Sequence, residues 1–145
     1  MTSLIDGILT GTLLQKETAF RNKVKSKTSK VADWQPVEHA YSSGVFDSVL
    51  MTTKTMAWVE FKVNGRVLTD AQPAWAKEKL KWTPNLFVIS LKPRGSVASV
   101  YQVTSDPAIK GRLMLIAEVP LDKTRQSYEQ LVAVIEDRSL KFITF

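Results

Sequence analysis

The sequence of 145 residues contains no cysteine and only one histidine, His39. The lack of cysteine excludes disulfides, thiolate zinc sites, iron–sulfur clusters and cysteine nucleophiles. A single imidazole also excludes metal sites built from several histidines. A chain of this length buries about 70% of its unfolded surface, so it can form a core by packing alone. We therefore expect no bound metal and no cofactor.

Recognisable catalytic motifs are also missing. The chain has no G-x-S-x-G nucleophile elbow and neither of the glycine-rich phosphate-binding patterns, G-x-x-x-x-G-K-[ST] and G-x-G-x-x-G. His39 lies next to Glu38, but without a nucleophile motif an ordinary loop histidine explains this pair better than a catalytic triad. We expect no catalytic residues and a protein that is not an enzyme.

Long apolar runs are absent as well, and none approaches the roughly 20 residues that cross a bilayer. The apolar N-terminal stretch is interrupted by Asp6 and has no basic residue before Lys16, so it lacks the features of a signal peptide. The sequence predicts no transmembrane segment and no secretion by a signal peptide. The expected location is the cytoplasm or a virus particle.

The excess positive charge is concentrated in one short stretch. The chain has 20 Lys and Arg against 14 Asp and Glu, and residues 16–30 account for +5 of the net charge of +6. A localised basic segment indicates an acidic partner, such as phosphate or an acidic protein. The residues expected to contact that partner form a basic arm over residues 21–30: Arg21, Lys23, Lys25, Lys27 and Lys30.

The apolar residues before this arm have helical spacing and predict a helix over residues 3–20. Two glycines, Gly7 and Gly11, would let another backbone approach closely. The helix is therefore expected to dock on its own domain or on another subunit. The candidate interface residues on this helix are Leu4, Ile5, Ile8 and Leu9.

The arm over residues 21–30 has little to bury, which favours a mobile arm, an edge strand or a linker. We divide the chain into an N-terminal helix with a basic arm, residues 1–30, and a single β-rich domain, residues 31–145.

Beyond residue 44 the apolar pattern mostly has a period of two. Residues 55–63 form the clearest predicted strand, with one apolar face and one face that carries Trp58, Glu60 and Lys62. The dipeptide Asn64-Gly65 predicts a hairpin, because both positions of its turn need positive φ angles. That hairpin would pair Phe61 with Leu68. Further strands are predicted over residues 45–51, 86–91, 97–104 and 112–119, and a short helix over residues 74–82 after Pro73.

The C-terminal region is ambiguous. Residues 128–136 fit helical spacing, but their β-branched residues favour a strand, and we favour a strand that pairs with another over residues 140–145. The predicted fold class is α+β, mainly β. It consists of an antiparallel β-sandwich or barrel of six to eight strands, with an N-terminal helix and one short middle helix.

Apolar surface on predicted outer elements favours a role in assembly. Trp58 on an outward strand face would be an interface anchor, and the chain ends on an apolar strand that finishes at Phe145. We expect a non-enzymatic structural or assembly subunit of a multi-subunit particle, such as a virion, phage tail, baseplate or secretion machine. Its partners would be copies of itself or other subunits. The alternative is a nucleic-acid-binding protein that uses the basic arm over residues 21–30.

Overall fold

The computed structural model describes residues 2–37 and 44–139, with side chains from residue 15 onward. The elements in chain order are α1 (Thr2–Lys27), β1 (Asp33–Pro36), β2 (Ser48–Met51), β3 (Met56–Lys62), α2 (Gln72–Lys79), β4 (Leu86–Leu91), β5 (Val97–Val103), β6 (Leu113–Pro120) and α3 (Arg125–Arg138). A single 3₁₀ turn, Lys110–Arg112, precedes β6. The predicted last strand with Phe145 lies outside the described residues, as do His39 and the side chains of Leu4, Ile5, Ile8 and Leu9.

The strands form one six-stranded sheet in which they lie in chain order, from β1 to β6. Neighbouring strands are antiparallel except β3 and β4, which are parallel and are connected by the helix α2. The predicted α+β class, rich in β structure and beginning with a helix, is therefore confirmed. The sheet is open within the described residues, and closure into the predicted sandwich or barrel is not seen.

One face of the sheet is covered by α1 and α3. The β3 residues on this face are buried against Phe20 and Val24 of α1, and the rings of Phe20 and Phe61 meet edge to face at 5.9 Å. The residues are Ala57, Val59 and Phe61 of β3 and Val63, which follows the strand directly. They are the set that the period-two pattern assigned to one face, so that part of the prediction is confirmed.

The opposite face of the sheet is covered by α2. Ala76 of the helix packs with Phe46, Leu86, Val88 and Val103 in a second apolar cluster. Pro73 stands in the first turn of α2, where its missing N–H leaves no hydrogen bond unmade, as the sequence predicts. Both faces of the central strands are therefore buried.

The predicted strand over residues 128–136 is wrong, because this segment belongs to the helix α3. Thr124 caps the helix by accepting a hydrogen bond from the Ser127 N–H. The buried face follows helical spacing and consists of Tyr128, Leu131, Val132 and Ile135. Burial of this face against the sheet outweighs the local preference of β-branched residues for strands.

The predicted basic arm is also largely helical, since α1 continues to Lys27. Val24 is fully buried one turn after Phe20, so apolar packing extends the helix beyond residue 20. At its end the Thr28 hydroxyl donates to the Val24 carbonyl and accepts from the indole N–H of Trp34. These bonds fix the start of β1, a strand that is absent from those predicted above.

The predicted hairpin at Asn64-Gly65 forms only its turn. Both residues have positive φ angles, 56° and 69°, and the Arg66 N–H bonds back to the Val63 carbonyl. The chain does not return along β3, because β2 and β4 already occupy both edges of that strand. The turn instead contacts α1 through an ion pair between Arg66 and Glu17, at 3.4 Å. Among the described residues, no helix is both long enough and apolar enough to cross a membrane.

Candidate active site

Glu60 and Lys62 lie on the face of β3 that points away from α1, and both side chains are buried. Their residues are 6% and 5% exposed. The sequence placed them correctly on one face with Trp58, but that face is covered by α2 and is not outward. Trp58 itself is half-buried, with its ring edge-on to Trp75 of α2 at 5.3 Å. Two charged side chains therefore occupy an interior position.

Asp47, the residue directly before β2, reaches the same position. Ser48 pairs with Val59 across the ladder, which places Asp47 beside Glu60. The Asp47 backbone N–H donates to Glu60 Oε1 at 3.0 Å, and the Ser48 hydroxyl donates to Asp47 Oδ1 at 2.8 Å. The two carboxylates thus come from adjacent strands and are held by backbone geometry.

Gln72 and Lys62 fix the second oxygen of Glu60. The Gln72 amide, at the first residue of α2, donates to Glu60 Oε2 at 2.7 Å. The Lys62 ammonium lies 3.5 Å from the same oxygen. We refer to Asp47, Glu60, Lys62 and Gln72 as the acid–lysine cluster.

Two basic residues of α1 lie next to the cluster. Arg21 Nη1 is 3.5 Å from Asp47 Oδ2, and Lys25 follows one helical turn later. Burial lowers the pKa of Lys25, while the negative charge of Asp47 partly opposes this shift. These two cations of the predicted arm are therefore directed at a carboxylate of the same chain.

Burial dominates the electrostatics of the cluster. It raises the pKa of Asp47, and the hydrogen bond from Ser48 and the positive charge of Arg21 partly offset that rise. Burial, followed by the negative charge of Asp47, raises the pKa of Glu60 to about 7. Two neighbouring carboxylates that resist ionisation together are typical of sites that bind a cation or handle protons.

A cavity of about 400 Å³ opens onto the cluster. Its lining includes Asp47, Glu60, Lys62 and Gln72, together with Arg21 and, at an exposed position, Asp70. Gly44 forms another part of the wall. It has a φ of 84°, and a Cβ there would lie 2.4 Å from the Ala71 carbonyl oxygen. Only glycine allows this close approach, which brings the chain before β2 against the start of α2.

The donor set suits a magnesium-like ion better than zinc. The described residues contain no group of three or more His, Cys, Asp or Glu that could hold a metal. Structural zinc requires four such ligands. Magnesium is commonly held by one or two carboxylates, with water and substrate phosphate completing its octahedron. Asp47 and Glu60 supply two carboxylates at the surface of a cavity that can admit a substrate.

The remaining basic residues of the predicted arm are not brought together with the cluster. Lys23 lines a different groove, Lys27 donates to the Lys123 carbonyl at 3.1 Å, and Lys30 is exposed. The structure therefore divides these side chains among several environments. The prediction that they contact phosphate or an acidic partner stays a prediction, as does an interface role for Trp58.

Sequence reasoning did not identify the acid–lysine cluster. A usable signal was present in β3, where Glu60 and Lys62 alternate with Val59, Phe61 and Val63. Such a pattern is also typical of a half-exposed strand, so it identifies a site only when the strand is known to be central. No protein-family model matches the sequence, and no curated protein or solved structure matches it significantly. The chemistry of the cluster is therefore the basis for a functional proposal.

Proposed function

We propose that this protein is a divalent-metal-dependent hydrolase that cleaves phosphodiester bonds in nucleic acid, in place of the metal-free, non-enzymatic protein that the sequence alone led us to expect. The observation that carries the proposal is the convergence of Asp47, Glu60 and Lys62 on one cavity. A pure scaffold has no need for two carboxylates and an ammonium at a central strand, because apolar residues of similar volume are usually at least as stabilising.

The carboxylates of Asp47 and Glu60 are the proposed ligands of a magnesium or manganese ion. A divalent cation held by these carboxylates would favour their charged forms, against the burial that raises the pKa of both and the negative charge of Asp47 that further raises the pKa of Glu60. Such an ion polarises a phosphoryl oxygen and makes a bound water more acidic. Gln72 and the Asp47 N–H hold the Glu60 carboxylate in place, so that little reorganisation accompanies metal binding.

Lys62 is the proposed cation that stabilises charge on the phosphoryl oxygens as the reaction proceeds. Its ammonium is fixed beside Glu60 in a largely buried site, where electrostatic interactions are stronger than in water. In the reaction, a water oxygen bonds to phosphorus, the bond from phosphorus to the leaving sugar oxygen breaks, and the proton released by water passes to the leaving oxygen. The chain supplies position and charge, and no covalent intermediate is needed.

The charge distribution favours a polyanion as the substrate. Most of the net charge lies within residues 16–30, and α1 carries that segment past the cluster, with Arg21 in direct contact with Asp47. A basic surface next to a phosphodiester-cleaving site is suited to the nucleic-acid backbone. The predicted nucleic-acid contact of the basic segment is compatible with this proposal. The predicted assembly role stays a prediction that no described residue tests.

The test is cleavage of plasmid DNA, single-stranded DNA and RNA by the purified protein with Mg²⁺, Mn²⁺ or EDTA. We expect cleavage that requires the metal and falls at least about 100-fold in Glu60→Gln, Asp47→Asn and Lys62→Met, since each removes a charge from the site. Glu78→Gln and Lys54→Met are matched controls, because both residues are exposed and away from the cavity.

Cleavage that is equal in Glu60→Gln and wild type would contradict the proposal and would indicate a contaminating nuclease. The proposal is also overturned if the wild type cleaves none of these substrates and binds no Mg²⁺ by isothermal titration calorimetry.

A further inference from the structure

A second groove, of about 380 Å³, lies on the other side of α1 from the acid–lysine cluster. Its walls are α1, the end of β3 and the turn between β4 and β5. Four cationic residues line it, two from the helix and two from the turn, and no acidic residue does. They are Lys16, Lys23, Lys92 and Arg94. We refer to this groove as the basic groove.

Helix geometry explains why the basic segment serves two places. Successive residues of a helix turn by about 100°. With Phe20 facing the core, Arg21 lies about 100° to one side, whereas Lys16 and Lys23 lie about 40° and 60° to the other. The first side faces Asp47, and the second faces the basic groove. A single charged stretch is thereby divided between the cluster and the groove.

Most of the charge in the basic groove is not neutralised by the chain itself. Lys92 forms an ion pair with Glu118 at 2.7 Å, and both side chains are nearly half exposed. The other three cations form no ion pair with any described residue. Three unpaired cations around one concave surface favour an anionic ligand.

Arg94 adds a second, independent observation. It stands in the tight turn between β4 and β5 with a φ of 77°, in the left-handed region that favours glycine or asparagine. Glycine would form this turn without strain. Unfavourable backbone conformations of this kind are concentrated at ligand-binding sites, where the side chain has a role that offsets the strain.

We propose that the basic groove binds the phosphate backbone of the nucleic acid whose cleavage is proposed for the acid–lysine cluster. The two sites are lined by different side chains of α1, Lys16 and Lys23 for the groove and Arg21 for the cluster cavity. This inference rests on the proposed function and extends it, because it assigns a second surface that contacts the substrate backbone away from the cleaved bond.

The composition of the groove indicates a backbone contact that is independent of base sequence. The aromatic residues in its lining, Phe20 and Tyr128, are both 5% exposed and cannot stack on bases. Lysine and arginine side chains are therefore the groups available to the ligand, and they recognise phosphate without reading bases.

The test is fluorescence anisotropy of labelled DNA of two unrelated sequences, in EDTA so that no cleavage occurs. We expect Lys23→Ala and Arg94→Gly each to weaken binding about fivefold to tenfold at 0.1 M salt, and to reduce the slope of log K against log salt by about 1, for both sequences. Lys54→Ala and Lys110→Ala are matched controls outside the groove and should bind like wild type. Because Arg94→Gly relieves backbone strain, its weaker binding could not be attributed to misfolding.

Wild-type affinity in a Lys16→Ala, Lys23→Ala, Arg94→Gly triple variant would overturn the basic groove, while metal-dependent cleavage by wild type would leave the hydrolase proposal standing. Weakened binding in the groove variants, with no cleavage by wild type, would leave the basic groove standing and overturn the hydrolase proposal. Binding of labelled polyglutamate, with no binding of DNA, would overturn the groove as a nucleic-acid site and assign it to an acidic protein.

Discussion

The two faces of β3 are buried to nearly the same degree, but they consist of opposite kinds of side chain. Toward α1 the strand presents Phe61, which is 1% exposed, and toward α2 it presents Glu60 and Lys62, which are 6% and 5% exposed. The first face is what burial alone selects, since apolar surface removed from water stabilises the fold by about 25 cal/mol per Å². Burial alone would not select the charged residues of the second face.

Charged groups in the interior rarely increase stability, because their loss of hydration offsets most of the attraction between them. The raised pKa values of Asp47 and Glu60 show that the site resists ionisation. Adjacent positions on one strand therefore differ in kind: one holds the sheet to α1, and the other, under the proposed function, is kept at a cost in stability for chemistry.

The largest expected effect is on the apolar face. Phe61→Ala should lower the free energy of unfolding by about 3–5 kcal/mol, because it leaves a cavity between β3 and Phe20. Urea denaturation followed by circular dichroism would measure this loss. Leu115→Ala is the control, since Leu115 is 49% exposed and should cost far less. A loss below about 1 kcal/mol for Phe61→Ala would mean that α1 does not pack on the sheet as described.

An intermediate effect is expected from Glu60, and its sign is opposite to that of an ordinary paired acid. Its folded-state pKa of about 7 exceeds the usual 4.5, so the folded protein binds a proton more tightly than the unfolded chain. The contribution of Glu60 to the free energy of unfolding is greatest below pH 4.5 and is lost as the pH rises to 7. The loss is on the order of a few kcal/mol.

Urea titrations between pH 4.5 and 8 would measure this trend in wild type and in Glu60→Gln. Glu60→Gln should lack this pH-dependent loss of stability. At pH 8 it should be more stable than wild type, although inactive. A Glu60→Gln variant that loses stability with pH as steeply as wild type would exclude Glu60 as the source.

The smallest of the three effects is stabilisation by metal. Mg²⁺ at 100 times its dissociation constant should raise the free energy of unfolding by about 2.7 kcal/mol at pH 8. The increase should be smaller at pH 5, where protons compete for Asp47 and Glu60. Thermal melts with Mg²⁺ and with EDTA would measure it, and Asp47→Asn should lose it. An equal effect of Mg²⁺ on Asp47→Asn would place the metal elsewhere.

Local signals in the sequence predicted the elements whose environment is local. The alternation in β3, the apolar run of β4 and the proline at the start of α2 all appear in the structure. The strand predicted for residues 128–136 failed because α3 is selected by the sheet beneath it. The hairpin failed because the partners of β3 are set by distant segments, even though Asn64 and Gly65 adopt the turn that their sequence favours.

The site was less predictable than the fold, for the same physical reason. Glu60 and Lys62 were assigned to the correct face, but a strand read alone does not show whether its second face meets water. That depends on the parallel pairing of β3 with β4 and on the position of α2, both of which are nonlocal. Asp47 carries no local signal at all, since it becomes a neighbour of Glu60 only through the register of β2 and β3.

The single parallel ladder divides the sheet into two antiparallel meanders of three strands each, β1–β2–β3 and β4–β5–β6. Every residue of the acid–lysine cluster belongs to the first meander or to the first turn of α2, so all of them are synthesised before β4. The helix α2 packs through Ala76 on Leu86 and Val88 of β4, so it covers the cluster only after β4 has joined the sheet. Completion of the cluster is thus tied to the docking of a second half that contributes none of its members, and a truncated chain would carry the chemical groups without their environment.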